Sequence, residues 1–356
     1  MTTTPTGDST SVFATLLSFY CPPVLVEETN PDANRLYERT LAWAKRFDLG
    51  DGDTQHTTMV ALTGAGSVAH LFPHATGALT QALADYNAWA WVANTVLETT
   101  EPLRDILARL GRWERIIRSP DSYPEATATA DLALADVFGR LRTLLTPVQW
   151  QRFTVGQGSW LYHMAWEASL RERDIPLTVN DYLAMRGAAA GIYSCASYLD
   201  AVEGIELDEQ RWAHPTVRAA AESSMFAAAL DNDRYSYHRE RNLPVHKANL
   251  IDAVRHDHPD HTLHQAAAEA VAIRDRMLTC YLRLREHLLP TADHALTRYL
   301  TGLDRVVSGN LTFGATATRY LLTDSPYTVT RTHAPSETTT TPLPYPTIAW
   351  WWDQLP

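Results

Sequence analysis

Cysteine is scarce in this chain: three in 356 residues, Cys21, Cys195 and Cys280, widely spaced and without a C-x-x-C pair. An odd, scattered set of this kind gives no disulfide framework and describes reduced cytoplasmic thiols that fill small core spaces. No run of 18 uncharged apolar residues occurs, so no stable membrane insertion is expected. The Thr- and Ser-rich start, Met1 to Ser11, lacks the basic segment and apolar run of a signal peptide. A soluble cytoplasmic protein is the expectation. Positive charge is also short: 30 Lys and Arg against 41 Asp and Glu leave a net charge of −11, which argues against a nucleic-acid surface. No Pro/Gly/Ser-rich linker divides the middle, so the length is read as one large domain with a sizeable core. Strand alternation and βαβ patterning are missing too, whereas about ten helical runs are present, and the fold class is all-α.

Along the chain, residues 1–12 read as a disordered tail, 13–322 as the α domain and 323–356 as a Thr/Pro-rich tail ending in Trp350-Trp351-Trp352, whose indoles should dock on the domain or a partner. Asn30 to Phe47 has an apolar side at Leu36, Thr40, Trp43 and Phe47, as an outer amphipathic helix would. Met59 to Pro73 is mixed and carries no clear period. Ala75 to Glu98 is nearly uncharged and should be a central helix. Helices are expected from Pro102 to about Arg118, Glu125 to Leu145, Pro147 to Arg173, His214 to Arg241, Thr262 to Leu289 and Asp293 to Leu322. Within Thr178 to Val202, Gly187 and Gly191 invite a break in an otherwise apolar helix. His256, His258, His261 and His264 sit among Asp and Pro and describe a solvated turn rather than a metal site.

The stretch richest in chemistry is Asn232-Asp233-Arg234-Tyr235-Ser236-Tyr237-His238-Arg239-Glu240. Asn232, Ser236 and Glu240 fall at i, i+4 and i+8, so a helix stacks an amide, a hydroxyl and a carboxylate on one face. All three are hard oxygen donors suited to Mg²⁺. The same spacing also describes a solvated helix face. Asn94 and Glu98 repeat the i, i+4 arrangement near the end of the apolar helix. Arg186 stands alone in its apolar segment.

The motif resembles the N-D-x-x-S-x-x-x-E metal motif of class I terpene synthases, and other stretches resemble the same family in the same order, from about Phe13 to Tyr320. Asn94 to Glu98 stands where the family has D-D-x-x-D, with two carboxylates missing. Arg186, 46 residues before Asn232, resembles the diphosphate-sensing Arg, with Ala189 and Ala190 at the kink. Arg239 matches a basic position that contacts diphosphate. Arg319-Tyr320 matches the Arg-Tyr pair that closes the last helix, and Phe313 stands where the family often has Trp.

The resemblance implies a helical bundle around a central apolar cavity and a Mg²⁺-dependent ionisation and cyclisation of a prenyl diphosphate. Three Mg²⁺ ions would be held by Asn232, Ser236 and Glu240, and by Asn94 and Glu98. Arg186, Arg239, Arg319 and Tyr320 would bind the diphosphate, with Arg186, Arg319 and Tyr320 assisting ionisation. Trp89, Trp91, Ala189, Ala190 and Phe313 would face the hydrocarbon, and Ala90, Ala93 and Ser197 would leave room for it. Because the whole chain is acidic, the anion site must be local and metal-assisted. Farnesyl diphosphate is expected first and geranylgeranyl diphosphate close behind. A silent isoprenoid-diphosphate binder and a prenyl transferase stay open as alternatives, as do monomer and homodimer.

Overall fold

The structure is a computed structural model that describes residues 7–122, 128–173, 175–243, 248–318, 320 and 328–356. Helices follow one another in chain order: α1 (Gly7–Leu16), α2 (Ala33–Arg46), α3 (Thr54–Leu71), α4 (Gly77–Asn94), α5 (Leu103–Arg118), α6 (Thr129–Leu144), α7 (Pro147–Arg173), α8 (Val179–Ala189), α9 (Ile192–Val202), α10 (Glu209–Trp212), α11 (Pro215–Glu240), α12 (Leu250–Asp257), α13 (Leu263–Leu288), α14 (His294–Thr316) and α15 (Pro346–Ala349). Two three-residue strands, β1 (Ser18–Tyr20) and β2 (Thr330–Thr332), pair in parallel with Ser18 opposite Thr330. The all-α bundle expected from the sequence is what forms.

The central element is α11. Pro215 opens it, where a missing backbone N–H costs nothing, and its Ala-rich body is buried against α13, α14, α9 and α8. Small side chains let these neighbours approach, so one helix serves both as core and as carrier of the polar motif. A buried ion network fixes it. Arg274 meets Asp231 at 2.6 Å, and Arg234 donates from Nε to the Leu16 carbonyl at 3.0 Å while lying 3.9 Å over the Phe19 ring. Arg274 also donates to the Tyr20 carbonyl at 2.7 Å. These contacts tie α1 and β1 to α11 and α13.

Four expectations change. Residues 54–71 form α3 rather than a mixed stretch: Asp53 caps it by accepting from the Gln55 and His56 amides. Its small buried residues, among them Ala61, Thr63, Ser67 and Ala69, spread over more than one side and blur the apolar stripe. The initial tail is shorter, because α1 begins at Gly7 and buries Val12, Phe13 and Leu16. The helix expected from Asp293 to Leu322 ends at Thr316. The Thr/Pro-rich segment packs on the same body: Ser336 N donates to Asp275 Oδ2 at 2.8 Å, and Arg331 donates to Thr312 Oγ1 at 2.6 Å.

The tryptophans dock on the chain's own α11. Trp351 is fully buried, lies 5.3 Å from the Phe226 ring and donates its indole N–H to Glu222 at 3.0 Å. Arg218 covers Trp350 at 5.6 Å. Replacing Trp351 by Ala should therefore cost roughly 3–5 kcal/mol, read as a lower urea midpoint. A change under about 0.5 kcal/mol, the size of an ordinary surface substitution, would contradict this docking.

Candidate active site

The break expected in the 178–202 segment is present. α8 stops at Ala189, Gly191 adopts a left-handed conformation at φ 74°, and α9 restarts at Ile192. Ala189, Ala190 and Gly191 line a cavity of ≈ 210 Å³ together with Asn94 from α4 and Asn232 and Glu240 from α11. Arg186, one turn before the break, enters the same cavity wall. Its Nη2 lies 2.6 Å from Asp233 Oδ1 and donates to Asn232 Oδ1 at 2.9 Å. Its Nε is buried with no hydrogen-bond partner among the described residues.

Asp233 is the counterion that makes this burial tolerable. Burial pushes its carboxyl up to about 6, opposed by Arg186, so it remains ionised near neutrality. Burial works against the Arg186 charge as well, but Asp233 more than offsets it and the guanidinium is raised. Tyr182 donates its hydroxyl to Asp233 Oδ2, and the Leu250 amide donates to the same oxygen at 3.4 Å. Neither Tyr182 nor the role of Asp233 is visible in the sequence, because they act by tertiary contact.

On the motif face, Asn232 Nδ2 donates to the Tyr320 hydroxyl at 2.9 Å. Ser236, between Asn232 and Glu240, has a buried Oγ without a hydrogen-bond partner among the described residues. Asn249 caps α12 and donates from Nδ2 to Glu240 Oε2 and to the Asp233 carbonyl, both at 3.0 Å. That contact orients the Glu240 carboxylate. An oxygen-only set with one unsatisfied hydroxyl fits a hard dication.

Glu98 lies in a 3-10 turn, Thr95–Glu98, directly after α4, and is gripped by Arg239 through two N–H donors, one at 2.9 Å. Burial opposes the charge of Arg239, and Glu98 outweighs it. Asn94 and Arg239 line the cavity, whereas Glu98 and Ser236 are set back from it. Arg319 lies outside the described residues. Tyr320 is buried, with its ring 6.3 Å from both Trp91 and Phe313. These three rings line the cavity with Ala90 and Trp160.

Trp89 does not join them. It is fully buried, 5.0 Å from Trp113 and 6.0 Å from Trp160, with its indole N–H donated to the Ala130 carbonyl. Residues two apart on a helix point to nearly opposite sides, so Trp91 at the cavity places Trp89 in the core. Ala93 is core as well, and Ser197 lines an outer groove of ≈ 700 Å³ along α7, α9 and α11 that holds none of the motif residues. His163, half-buried, bonds the Ser159 carbonyl and does not line the cavity. Cys195 and Glu167 line the cavity, and the sequence pattern did not mark them for it.

Comparison with known proteins decides the family. Residues 85–279 match the family described as terpene synthase family 2, C-terminal metal binding. The chain belongs to the class I bacterial terpene cyclases. The cyclase is 38% identical over 341 residues to the diterpene cyclase DtcycB of Streptomyces sp, covering 95% of this chain and 97% of that one. It is 29% identical to the (+)-T-muurolol synthase of Streptomyces clavuligerus, a (2E,6E)-farnesyl diphosphate cyclizing protein, over 94% of this chain and 82% of the other. A crystal structure of the SVS_A2 protein from ancestral sequence reconstruction superposes with a TM-score of 0.83 at 29% identity, covering 94% and 98% of the two chains. The enzyme thus acts as a cyclase on prenyl diphosphates, and no described helix of it is long and apolar enough to cross a membrane.

If Asn94 contributes an oxygen to a bound metal, a carboxylate there should hold it more tightly. Asn94→Asp is expected to lower the Mg²⁺ concentration for half-maximal turnover. An unchanged Mg²⁺ titration would remove Asn94 from the ligand set.

Proposed function

We propose that the cyclase ionises a linear prenyl diphosphate with Mg²⁺ and closes the resulting allylic cation into a ring. The observation that carries this reading is a pair of buried atoms flanking Asn232 that have no hydrogen-bond partner among the described residues: the hydroxyl of Ser236 and the Nε–H of Arg186. One is an oxygen donor for a cation and the other an N–H for an anion, which is the pairing a metal diphosphate needs. Asn232, Ser236 and Glu240 would hold one Mg²⁺, and Asn94 and Glu98 belong to the sites of the remaining two. When bound, Mg²⁺ would supply Lewis-acid neutralisation of the leaving diphosphate.

The chain's own residues do the rest. Arg186 presents its free N–H from a position fixed by Asp233, and Arg239 and Arg319 add positive charge to the leaving oxygens. Tyr320, held by Asn232, adds a hydroxyl. Glu98, gripped by two N–H donors of Arg239, keeps further carboxylate lone pairs with which it would help hold a metal. The hydrocarbon lies away from these charges, where the faces of Trp91, Phe313 and Tyr320 stabilise a migrating cation. The released diphosphate accepts the final proton, so no protein base is required.

Geranylgeranyl diphosphate is favoured as the substrate. The sequence alone places farnesyl first, but the relative at 38% identity is a diterpene cyclase and the farnesyl-cyclizing one stands at 29%. Small residues, Ala90, Ala189 and Ala190, line the cavity wall.

The purified protein is to be incubated with geranyl, farnesyl and geranylgeranyl diphosphates, with Mg²⁺ or chelator, and the extract analysed by gas chromatography. A cyclic product from the C20 substrate, lost with chelator and lowered roughly 10²–10³-fold in Glu240→Ala, is expected. Diphosphate release without a terpene would indicate transfer. Silence with all three would indicate a binding protein.

A further inference from the structure

The charged end of the cavity accounts for Arg186, Arg239 and the α11 motif, but a second polar group lies on the wall formed by α4 and α9. Tyr86 and Asn87 of α4, and Ser194, Cys195 and Tyr198 of α9, all line the cavity. Polar groups in a chamber for hydrocarbon are expected only where something polar is held. Ser194 is 4% exposed, and its Oγ has no hydrogen-bond partner among the described residues. Its hydroxyl lies close enough to the Tyr86 hydroxyl to act on that phenol as a hydrogen-bonding neighbour, so the two hydroxyls face one space. Tyr86 in turn donates to Gln157 Oε1 at 2.6 Å, and the amide nitrogen of that fully buried Gln157 is likewise without a partner.

Two unsatisfied buried atoms around one phenol are the surroundings of a structural water, which takes two to four polar partners. Every group present is neutral. Burial pushes the Cys195 thiol up to about 12 and raises the Tyr86 phenol, so neither offers an anion that would itself attack a cation or strip a proton.

We propose that Ser194, with Tyr86 and Gln157, holds one water molecule against the hydrocarbon wall, and that this water captures the cyclised cation to give a terpene alcohol. The proposal rests on the cyclisation reading above. The water's lone pair forms a C–O bond to the cationic carbon, and the oxonium proton passes to the diphosphate released on ionisation. Prenyl diphosphate and water become terpene alcohol and protonated diphosphate. No oxidant or reductant enters. Ser194 is then a specificity-determining residue: it chooses between capture by water and loss of a proton to a hydrocarbon.

The full-length enzyme, Mg²⁺ and geranylgeranyl diphosphate in H₂¹⁸O, with gas chromatography and mass spectrometry, test this. Wild type is expected to give a cyclic alcohol two mass units heavier than in ordinary water. Ser194→Ala should lower the alcohol-to-hydrocarbon ratio roughly tenfold, and Tyr86→Phe should move it the same way. The ratio does not depend on how much enzyme folds. Hydrocarbon alone from wild type, an unlabelled alcohol, or a ratio unmoved in both variants would overturn the water site while leaving the cyclase reading intact. No terpene from wild type with any of the three diphosphates would overturn the cyclisation reading, and this inference with it.

Discussion

Everything at the charged end of the cavity depends on the contact between Arg186 and Asp233, 2.6 Å apart and buried. A lone guanidinium in that position would be prohibitive, and a lone carboxylate no better; removing one member of such a pair commonly costs about 3–5 kcal/mol. The pair is tolerated because most of its remaining valences are met, by Tyr182, Leu250 and Asn232. In return it joins α8 to α11. The helix that carries Arg186 and the helix that carries Asn232, Ser236 and Glu240 are thereby held in one geometry, next to the break at Gly191.

The same logic of complete satisfaction makes the exceptions informative. Around Asn232 nearly every polar atom is paired: its amide oxygen with Arg186, its nitrogen with Tyr320, and Glu240 with Asn249. Ser236 Oγ and Arg186 Nε have no partner among the described residues. Each such atom costs desolvation in a core helix; Arg186 lines the cavity and Ser236 lies one turn from Asn232 and Glu240, which line it, so a ligand that brings both a cation and an anion would satisfy both. The arrangement at Glu98 is complementary. At the end of α4 the chain has an amide at 94 and commits the acid at 98 to Arg239, so charge there is balanced within the protein.

Much of this was legible in the sequence. The i, i+4, i+8 spacing in α11, the lone Arg186 and the glycine-weakened segment behind it are local features, and local features survive translation into structure. What was not legible is tertiary. Nothing in the sequence pairs Tyr182 with Asp233 or Asn249 with Glu240, since each contact joins separate helices. α3 escaped notice because small residues buried on more than one side leave no amphipathic period. Trp89 was misplaced beside Trp91 because an aromatic cluster gives no direction, while the helix turns about 100° per residue. The tryptophans at 350–352 gave a docking surface without an address, which Phe226 and Glu222 now supply.

The central claim is that the α11 face holds a metal whose diphosphate partner meets Arg186. Anomalous diffraction from crystals grown with Mn²⁺ and inorganic diphosphate tests it directly. A manganese peak about 2.0–2.4 Å from oxygens of Asn232, Ser236 and Glu240, with a diphosphate oxygen in hydrogen-bond reach of Arg186 Nε, is the expected result. A diphosphate bound without manganese on that face, or manganese ligated elsewhere with Ser236 still unpartnered, would contradict it.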